Sequence, residues 1–355
     1  MKKIILTGGG TAGHVTPNLA LLPLLKEHGY EVRYIGSYTG IEKTLVEQAG
    51  IPYDGISSGK LRRYFDWKNF TDPFRVLKGY GEARKLLKKY QPEIVFSKGG
   101  FVAVPVVMAA KHLHIPVIIH ESDMTPGLAN KLAIPSATRV CCNFSETMKY
   151  LPADKAIHTG CPIRAELLTG SKAVGQKLTG FTDEKPVLMI IGGSLGAVAV
   201  NNAVRAALPQ LLDQFQVVHL CGKNNLDESL QGTPGYVQYE YMGEPLKDLF
   251  ALADIVISRA GANAICELLA LKKPNLLIPL GSAASRGDQI LNAESYFKKG
   301  YSMLLPQDEL TVERLVQDVQ TLYANRTQYQ ETMALATDRD AVEKVVTLIE
   351  ECRLG

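Results

Sequence analysis

The chain has 355 residues, 46% of them apolar, and a formal net charge of only +3. This length and apolar content suffice for two hydrophobic cores, so we expect a globular protein of two domains. The near-neutral charge gives no general argument for nucleic-acid binding, and the apolar runs are too short to predict a membrane span.

The amino terminus and the cysteines indicate the compartment. Lys2 and Lys3 are followed by only four apolar-type residues before glycine, fewer than a signal peptide needs. The six cysteines form no Cys-x-x-Cys pair and lie mostly in apolar surroundings, which is typical of reduced core residues. We therefore expect a cytoplasmic protein whose contact with any membrane is peripheral.

Short apolar runs alternate with amphipathic stretches along the chain. In the first half the runs read KIILTG, EVRYIG, EIVFSKGG, IPVIIHES and TRVCCN. After a polar stretch near residues 170–185 they resume as PVLMIIGGSLGA, FQVVHLCG, GYVQYEYM, DIVISRAG and PNLLIPLG. Such alternation is typical of β-α-β units, so the sequence predicts two α/β halves with parallel sheets, followed by a helical segment from about residue 311.

A glycine loop, Gly8-x-Gly10-x-x-Gly13, follows the first predicted strand. Where such a loop opens a helix, unpaired N–H groups and the positive end of the helix dipole favour a phosphate or diphosphate. A nicotinamide site would carry an acidic residue at the end of the second strand, but residues 34–37 read Tyr-Ile-Gly-Ser. A second loop spans residues 192–196. The pair favours a sugar-nucleotide transferase over a dehydrogenase, and a tight turn without a ligand is the alternative for either loop.

Polar residues follow two later strands of the second half. Glu267 is predicted in the first turns of the helix after SRAG, where a carboxylate can accept hydrogen bonds from the cis-diol of a ribose. Its alternative role is to complement the helix dipole. Asp288, Gln289 and Asn292 stand at a later loop-to-helix junction, where they either bind sugar hydroxyls or only cap the helix.

Residues 60–89 hold ten basic and three acidic side chains, interleaved with aromatic residues that include the only tryptophan. Basic side chains attract anionic lipid, and aromatic rings favour the headgroup region. The segment predicts a membrane-docking surface, and a solvated basic helix with its aromatic residues in the core is the alternative. The expected docking residues are Lys60, Arg62, Arg63, Tyr64, Phe65 and Trp67.

Six motifs, in one order over essentially the whole chain, resemble those of the MurG family of N-acetylglucosaminyltransferases. They are GGGTAGHVTPNLA, SKGGFVAVPVVMAA, HESDMTPGLANKLA, GGSLGA, SRAGANAICE and GDQILNA. The resemblance implies the GT-B glycosyltransferase fold, an α/β fold of two Rossmann-like domains with an interdomain cleft. It places the domains at residues 1–161 and 162–336, with a C-terminal helix of about 337–355 packing back on the first.

The resemblance also implies an activity. The family transfers N-acetylglucosamine, with inversion, from UDP-N-acetylglucosamine to the C4 hydroxyl of undecaprenyl-diphospho-N-acetylmuramoyl-pentapeptide in peptidoglycan synthesis, which serves cell shape and division. The implied partners are this donor, the lipid-linked acceptor and an anionic phospholipid surface on the cytoplasmic side of the cell membrane, with no nucleic acid. No cofactor is implied, and UDP is expected in the cleft, held mainly by the second domain.

Donor-binding positions carry over residue by residue from the family. Met242 would contact uracil through its backbone, Glu267 would hold the ribose, and Gln289 would read the sugar. Ala12 and Asp123 depart from the family's usual glycine and asparagine. The full set is Thr11, Ala12, Gly13, Asp123, Arg164, Ser194, Met242, Ala262, Asn263, Ala264, Glu267 and Gln289.

The reaction requires stabilisation of the leaving diphosphate and removal of a proton from the attacking hydroxyl. The departing diphosphate needs positive potential, which helix N-termini and Arg164 can supply. The attacking hydroxyl needs a base, and our candidate is His14, because an imidazole titrates near neutral pH. Glu121 is the second candidate for the base. Binding the acceptor diphosphate and ordering the loop are the alternative roles of His14.

We expect activity without a metal ion. The Asp-x-Asp pair Asp338 and Asp340 lies in a polar C-terminal stretch away from any predicted strand end, which indicates solvent exposure. Two other functions stay open. One is a GT-B transferase that uses a donor such as UDP-glucose on diacylglycerol or a small acceptor, and the other is a non-catalytic scaffold that binds the nucleotide sugar without turnover.

Overall fold

The computed structural model describes residues 1–59, 68–193, 196–281, 287–336 and 340–354. The chain forms two compact units. The first unit comprises Met1–Arg164 and Asp338–Gly355, and the second comprises Ala165–Thr337. Each unit contains its own parallel sheet, which is what the alternating sequence pattern predicts.

The first unit has a sheet of seven strands in the order β3-β2-β1-β4-β5-β6-β7, and every pairing is parallel. Its strands are β1 (Lys2–Thr7), β2 (Tyr30–Ser37), β3 (Tyr53–Ile56), β4 (Ile94–Ser97), β5 (Val117–Glu121), β6 (Arg139–Cys142) and β7 (Ala156–His158). Its helices are α1 (Thr16–Ala20), α2 (Leu22–Glu27), α3 (Ile41–Gln48), α4 (Lys68–Tyr90), α5 (Ala103–His112) and α6 (Leu128–Ala133).

The second unit has a parallel sheet in the order β10-β9-β8-β11-β12-β13. Its strands are β8 (Val187–Ile191), β9 (Gln216–Leu220), β10 (Tyr236–Tyr239), β11 (Ile255–Ser258), β12 (Asn275–Leu277) and β13 (Met303–Leu304). Its helices are α7 (Lys172–Thr179), α8 (Val198–Gln214), α9 (Leu246–Leu252), α10 (Ala262–Ala270), α11 (Asp288–Lys298), α12 (Val312–Ala324) and α13 (Arg326–Ala334).

Both faces of the first sheet are apolar because helices cover both. On β1, Ile4 and Leu6 pack on one face with residues of α2 and α3, while Ile5 packs on the other face with residues of α4 and α5. In the second unit, α8 and α12 pack together over one face of the sheet.

The last helix, α14 (Ala341–Leu354), belongs to the first unit although it follows the second in sequence. Its residues Val345 and Ile349 are fully buried in the cluster around Ile4 and Leu6. The carboxylate of Glu350 lies 2.8 Å from the Lys2 ammonium. Apolar packing and an ion pair therefore both attach this helix to the first sheet.

Three strands are absent from the sequence prediction, namely β3, β7 and β13. Each lies at the edge of its sheet. Together they bury a single residue, Ile56, so they lack the continuous apolar run that marks a central strand. Every central strand of both sheets overlaps one of the predicted runs.

In each sheet the strand order reverses once, between β1 and β4 in the first unit and between β8 and β11 in the second. Connections on the two sides of such a switch point run over opposite faces of the sheet, so the loops after the two central strands diverge. The divergence leaves a crevice at the carboxyl edge, which is where ligands bind in open α/β sheets.

Candidate active site

The glycine loop after β1 is supported from beneath by two buried polar side chains. The Tyr34 hydroxyl donates to the carbonyl of Gly8 at 2.9 Å, and the Asn18 amide donates to the Tyr34 hydroxyl oxygen at 3.0 Å. Burial raises the pKa of Tyr34, so its hydroxyl stays protonated and able to donate. The loop is therefore held in one position before any ligand binds.

A buried carboxylate closes the other side of this loop. Glu42, at the start of α3, accepts hydrogen bonds from the backbone N–H of Gly10 and of Ser37, both at 3.1 Å. A Cβ on Gly9 would lie 2.5 Å from the Glu42 carboxylate carbon, so a larger residue there would displace this carboxylate. Sequence reasoning missed Glu42, because an acidic residue in the first turn of a helix ordinarily complements the dipole.

His14 is half-buried at the end of a short 3₁₀ turn, Ala12–His14. Its Nδ1 lies 2.9 Å from the carbonyl oxygen of Gly9 and 3.3 Å from Oγ1 of Thr11. Because a carbonyl can only accept, the contact with Gly9 requires the proton on Nδ1. In the neutral ring, the basic lone pair is then on Nε2.

Glu121, at the end of β5, is buried and is surrounded by donors. One carboxylate oxygen accepts from the backbone N–H of Ser122 at 2.8 Å and of Asp123 at 3.0 Å. The other accepts from the backbone N–H of Gly127 at 3.0 Å and from the side chain of Asn130 at 2.8 Å. These four bonds occupy the lone pairs of both carboxylate oxygens, so the geometry favours a positioning role for Glu121 over the role of base.

The loops after β1 and β4 touch at the switch point of the first unit. The backbone N–H of Gly9 donates to the carbonyl of Gly99 at 3.3 Å. A Cβ on Gly100 would lie 2.3 Å from the Gly9 carbonyl oxygen, and both Gly99 and Gly100 have positive φ. Only glycines allow this close backbone approach.

The second unit has a cavity of about 310 Å³ at its own switch point. The cavity is lined by the loop after β8, the first residues of α8 and polar side chains from later loops. The lining residues are Gly192, Gly196, Ala197, Val198, Ala199, Arg259, Leu280, Gln289 and Gln307. The N-terminus of α8, a helix of 17 residues, lies at this cavity. It presents the unpaired N–H groups of the first helical turn and the positive end of the helix dipole.

Arg259, directly after β11, supplies the cationic side chain of the cavity. Its guanidinium donates to the carbonyl of Ile278 at 2.9 Å and to Oε1 of Gln307 at 2.7 Å. Burial lowers the pKa of Arg259, but a guanidinium stays protonated in proteins. Sequence reasoning missed both Arg259 and Gln307, although Arg259 stands within the quoted motif SRAGANAICE.

The structure distributes the predicted donor residues of the second unit over one edge of the sheet. Gln289, the second residue of α11, lines the cavity, and its Oε1 accepts from the backbone N–H of Leu280 at 3.0 Å. Residues 262–264 form the first turn of α10, and Glu267 lies later in that helix. Met242 lies in the loop after β10. Of these predicted residues, only Gln289 is among those that line the cavity.

The predicted residues of the first unit fall into two loops. Thr11, Ala12 and Gly13 lie with His14 in the loop after β1, and Asp123 follows Glu121 in the loop after β5. Arg164 is the last residue of the first segment of this unit. Several predicted residues lie outside the described residues, namely Ser194, Lys60, Arg62, Arg63, Tyr64, Phe65, Trp67 and Asp338.

Family models match both halves of the chain. The model of the glycosyltransferase family 28 N-terminal domain matches residues 4–142, and that of the C-terminal domain matches residues 187–349.

Relatives match over the whole length. One from Lachnospira eligens is 66% identical over 99% of both chains, and one from Lachnoclostridium phytofermentans is 64% identical over 100% of both. Both are named UDP-N-acetylglucosamine--N-acetylmuramyl-(pentapeptide) pyrophosphoryl-undecaprenol N-acetylglucosamine transferase.

Solved structures show the same architecture. The crystal structure of Acinetobacter baumannii MurG superposes with a TM-score of 0.78 at 28% identity, over 99% of this chain and 100% of that one. A UDP-GlcNAc 2-epimerase from Neisseria meningitidis, at 14% identity and a TM-score of 0.67 over 99% of this chain and 100% of that one, shares the fold.

The two parallel sheets, each with one switch point, and the match to a solved MurG structure define a glycosyltransferase of the GT-B fold class, which confirms the predicted fold. The chain belongs to glycosyltransferase family 28 and, at this identity over its whole length, to the family of N-acetylglucosaminyltransferases that these relatives form. The resemblance drawn from the six motifs is therefore confirmed.

The geometry of Glu121 leads to a prediction that separates positioning from catalysis. In the Glu121→Gln variant, the amide NH₂ would face two donors that now bond to the carboxylate, at a cost of roughly 1–3 kcal/mol. We expect a lower denaturant midpoint together with a lower kcat/KM, and an unchanged pH profile. Glu47→Gln, an exposed change in the same unit, is the control. Full stability with a large loss of kcat would instead indicate a base.

Proposed function

We propose that this chain transfers N-acetylglucosamine from UDP-N-acetylglucosamine to the C4 hydroxyl of undecaprenyl-diphospho-N-acetylmuramoyl-pentapeptide, with inversion at the anomeric carbon. The product is the disaccharide-linked lipid used in peptidoglycan synthesis. One observation carries the proposal, namely the identity of 66% over 99% of the chain to a relative named for this transfer.

The cavity of the second unit has the chemistry that a nucleoside diphosphate sugar requires. The N-terminus of α8 and the guanidinium of Arg259 both present positive charge to it. A diphosphate gains negative charge as it leaves, so fixed positive groups stabilise the transition state more than the bound donor. Gln289 can read sugar hydroxyls from the same cavity, because its bond to Leu280 fixes the orientation of its amide.

The remaining family positions complete the proposed donor contacts. In the second unit, Met242 contacts uracil through its backbone and Glu267 accepts hydrogen bonds from the ribose. Further contacts of this unit come from Ser194, Ala262, Asn263 and Ala264. The first unit contributes Thr11, Ala12, Gly13, Asp123 and Arg164.

The chemical step forms one bond and breaks another. The C4 hydroxyl oxygen of the acceptor attacks the anomeric carbon of N-acetylglucosamine while the bond from that carbon to the UDP oxygen breaks. The hydroxyl proton passes to a base, and UDP leaves with the bonding electron pair. Attack from the face opposite the leaving group inverts the anomeric configuration.

We propose His14 as this base. Its Nδ1 donates to the carbonyl of Gly9, which orients the ring and leaves the basic lone pair on Nε2. The same arrangement, a ring fixed through one nitrogen while the other accepts the proton, is common in catalytic histidines. The loop that carries His14 is itself held by Glu42 and Tyr34.

The lipid-linked acceptor requires contact with a membrane, and α4 offers a surface for it. No described helix combines the length and apolar character needed to span a bilayer. One side of α4 packs on the sheet through Ala83 and Leu87. Phe74 and Leu77, on another side, are 73% and 67% exposed, and exposed basic residues follow along the helix. Large exposed apolar side chains beside lysines suit an anionic bilayer surface.

The proposed function is tested directly with the purified chain. We expect it to convert labelled UDP-N-acetylglucosamine and the lipid-linked muramoyl acceptor into a labelled disaccharide lipid and UDP. Diacylglycerol and UDP-glucose serve as the competing acceptor and donor. Transfer to diacylglycerol in preference to the muramoyl lipid would contradict the proposal, as would donor binding without turnover.

The role of His14 is tested with His14→Gln, which keeps hydrogen bonding but removes the base. We expect kcat to fall by about 10²- to 10⁴-fold at saturating donor and acceptor, with donor affinity and thermal stability unchanged. The control is His28→Gln, an exposed histidine of the same unit. A raised acceptor KM with normal kcat would assign His14 to acceptor binding and contradict the base role.

The docking surface is tested by co-sedimentation with vesicles. Replacing Phe74 and Leu77 together by serine should weaken binding to anionic phospholipid vesicles several-fold, because both apolar contacts with the headgroup boundary are lost. The matched control replaces Leu168 and Phe297, which are 59% and 54% exposed in the second unit. Equal loss in both double variants, or binding that does not depend on anionic lipid, would contradict docking through α4.

A further inference from the structure

The fourth strand of each unit lies in a similar short sequence. Residues 93–100 read Glu-Ile-Val-Phe-Ser-Lys-Gly-Gly, and residues 254–261 read Asp-Ile-Val-Ile-Ser-Arg-Ala-Gly. Both strands end at the serine, β4 at Ser97 and β11 at Ser258. The next residue is a cation in both units, Lys98 in the first and Arg259 in the second.

The two cations also occupy equivalent places in their sheets. β4 lies beside β1 and β11 lies beside β8, so each cation stands at the switch point of its unit. Each side chain contacts the residue that follows the last register pair with the adjacent strand, which is His120 in β5 and Ile278 directly after β12. Lys98 Nζ lies 2.6 Å from Nδ1 of His120, and Arg259 Nη1 lies 2.9 Å from the carbonyl oxygen of Ile278.

Lys98 is buried, with only 1% of its surface exposed, and its neighbour His120 is fully buried. Burial and the positive charge of Lys98 both hold the pKa of His120 well below its usual range. The ring is therefore neutral, its Nδ1 accepts from Lys98, and its Nε2 donates to the carbonyl of Gly160 at 2.9 Å. His120 thus fixes the position of the Lys98 amino group.

The main chain of Lys98 continues directly into the loop after β4 with Gly99 and Gly100. This loop contacts the loop after β1 with Gly8, Gly9 and Gly10, and the two together are the paired glycine loops. The backbone N–H of Lys98 donates to the carbonyl of Thr7, and the next residue, Gly99, accepts from the N–H of Gly9. Lys98 is thus fixed at its amide and its ammonium at the point where the loops meet. A buried positive charge at this position acts through a medium of low dielectric, where it attracts an anion more strongly than a solvated lysine does.

We propose that Lys98 is a positioning residue for the diphosphate of the acceptor, and that it does in the first unit what Arg259 does for the diphosphate of the donor in the second. It fixes the paired glycine loops and supplies their positive potential from beneath. The proposal rests on the proposed function, because it takes a diphosphate-linked acceptor as the ligand of the first unit.

The chemistry of the two diphosphates gives the two cations different kinetic signatures. The donor's diphosphate is the leaving group, so Arg259 acts on a charge that grows in the transition state and should affect kcat. The acceptor's diphosphate does not react. A group that binds it equally in the ground state and the transition state changes KM and leaves kcat nearly constant.

The test compares Lys98→Met, which removes the charge at nearly constant length, with Lys98→Arg, which keeps it. We expect Lys98→Met to raise the acceptor KM about tenfold or more at saturating donor, with kcat within about threefold and the affinity for UDP-N-acetylglucosamine unchanged. Inhibition by inorganic pyrophosphate at saturating donor should weaken in parallel. Lys98→Arg should restore part of the loss, and Lys111→Met, an exposed change in the same unit, should have no effect.

An acceptor KM within about twofold of the wild-type value would overturn the proposal. A joint change of both KM values and kcat, together with a lowered melting temperature, would also overturn it, because that result indicates a merely structural role. If Lys98→Met does not fold, Lys98→Gln replaces it under the same criteria. An inactive wild-type chain would contradict the proposed function instead. Calorimetry of pyrophosphate binding to the wild type and Lys98→Met, both with saturating UDP in the second unit, would then still decide the role of Lys98.

Discussion

The reversal of strand order at the centre of each parallel sheet is the constraint on which both candidate sites depend. The loops after the two central strands run to opposite faces of the sheet. Backbone groups of these loops at the carboxyl edge therefore have no hydrogen-bond partners within the sheet. The two units resolve this differently. In the first, glycine backbones approach so closely that Gly9 bonds to Gly99. In the second, residues of the loops after β8 and β11 line a cavity of about 310 Å³ with Arg259 in its wall.

Buried carboxylates substitute for the missing backbone partners in the first unit. Glu42 accepts from the backbone after β1 and after β2, and Glu121 accepts from the loop after β5. Each carboxyl group can be buried because several hydrogen-bond donors replace its hydration. An acidic residue at a strand end in this fold is therefore as much a part of the scaffold as a candidate for chemistry. The hydrogen bonds of Glu121 illustrate why motif membership alone does not distinguish a base from a positioning residue.

Much of the fold followed from the sequence, because central strands of a parallel sheet are buried on both faces and appear as continuous apolar runs. The edge strands β3, β7 and β13 lack that burial and left no such signal. The glycine loops and Gln289 could also be predicted from the sequence, because each is marked by its position at a loop-to-helix junction. Glu42 was not predicted, because its contact with Gly10 joins residues that are 32 positions apart in sequence. Arg259 and Lys98 do carry a signal, the repeated pattern of a strand, a serine and a cation, but its meaning requires the strand order.

The docking of α14 on the first sheet has a consequence for the order in which the protein acquires its structure during synthesis. The apolar face around Ile4 and Leu6 is completed by Val345 and Ile349, which are translated more than three hundred residues later. The second unit is continuous in sequence and is available in full before those residues are made. Although domains generally fold from the amino terminus onward, here the unit translated first must wait for the end of the chain before its core is closed.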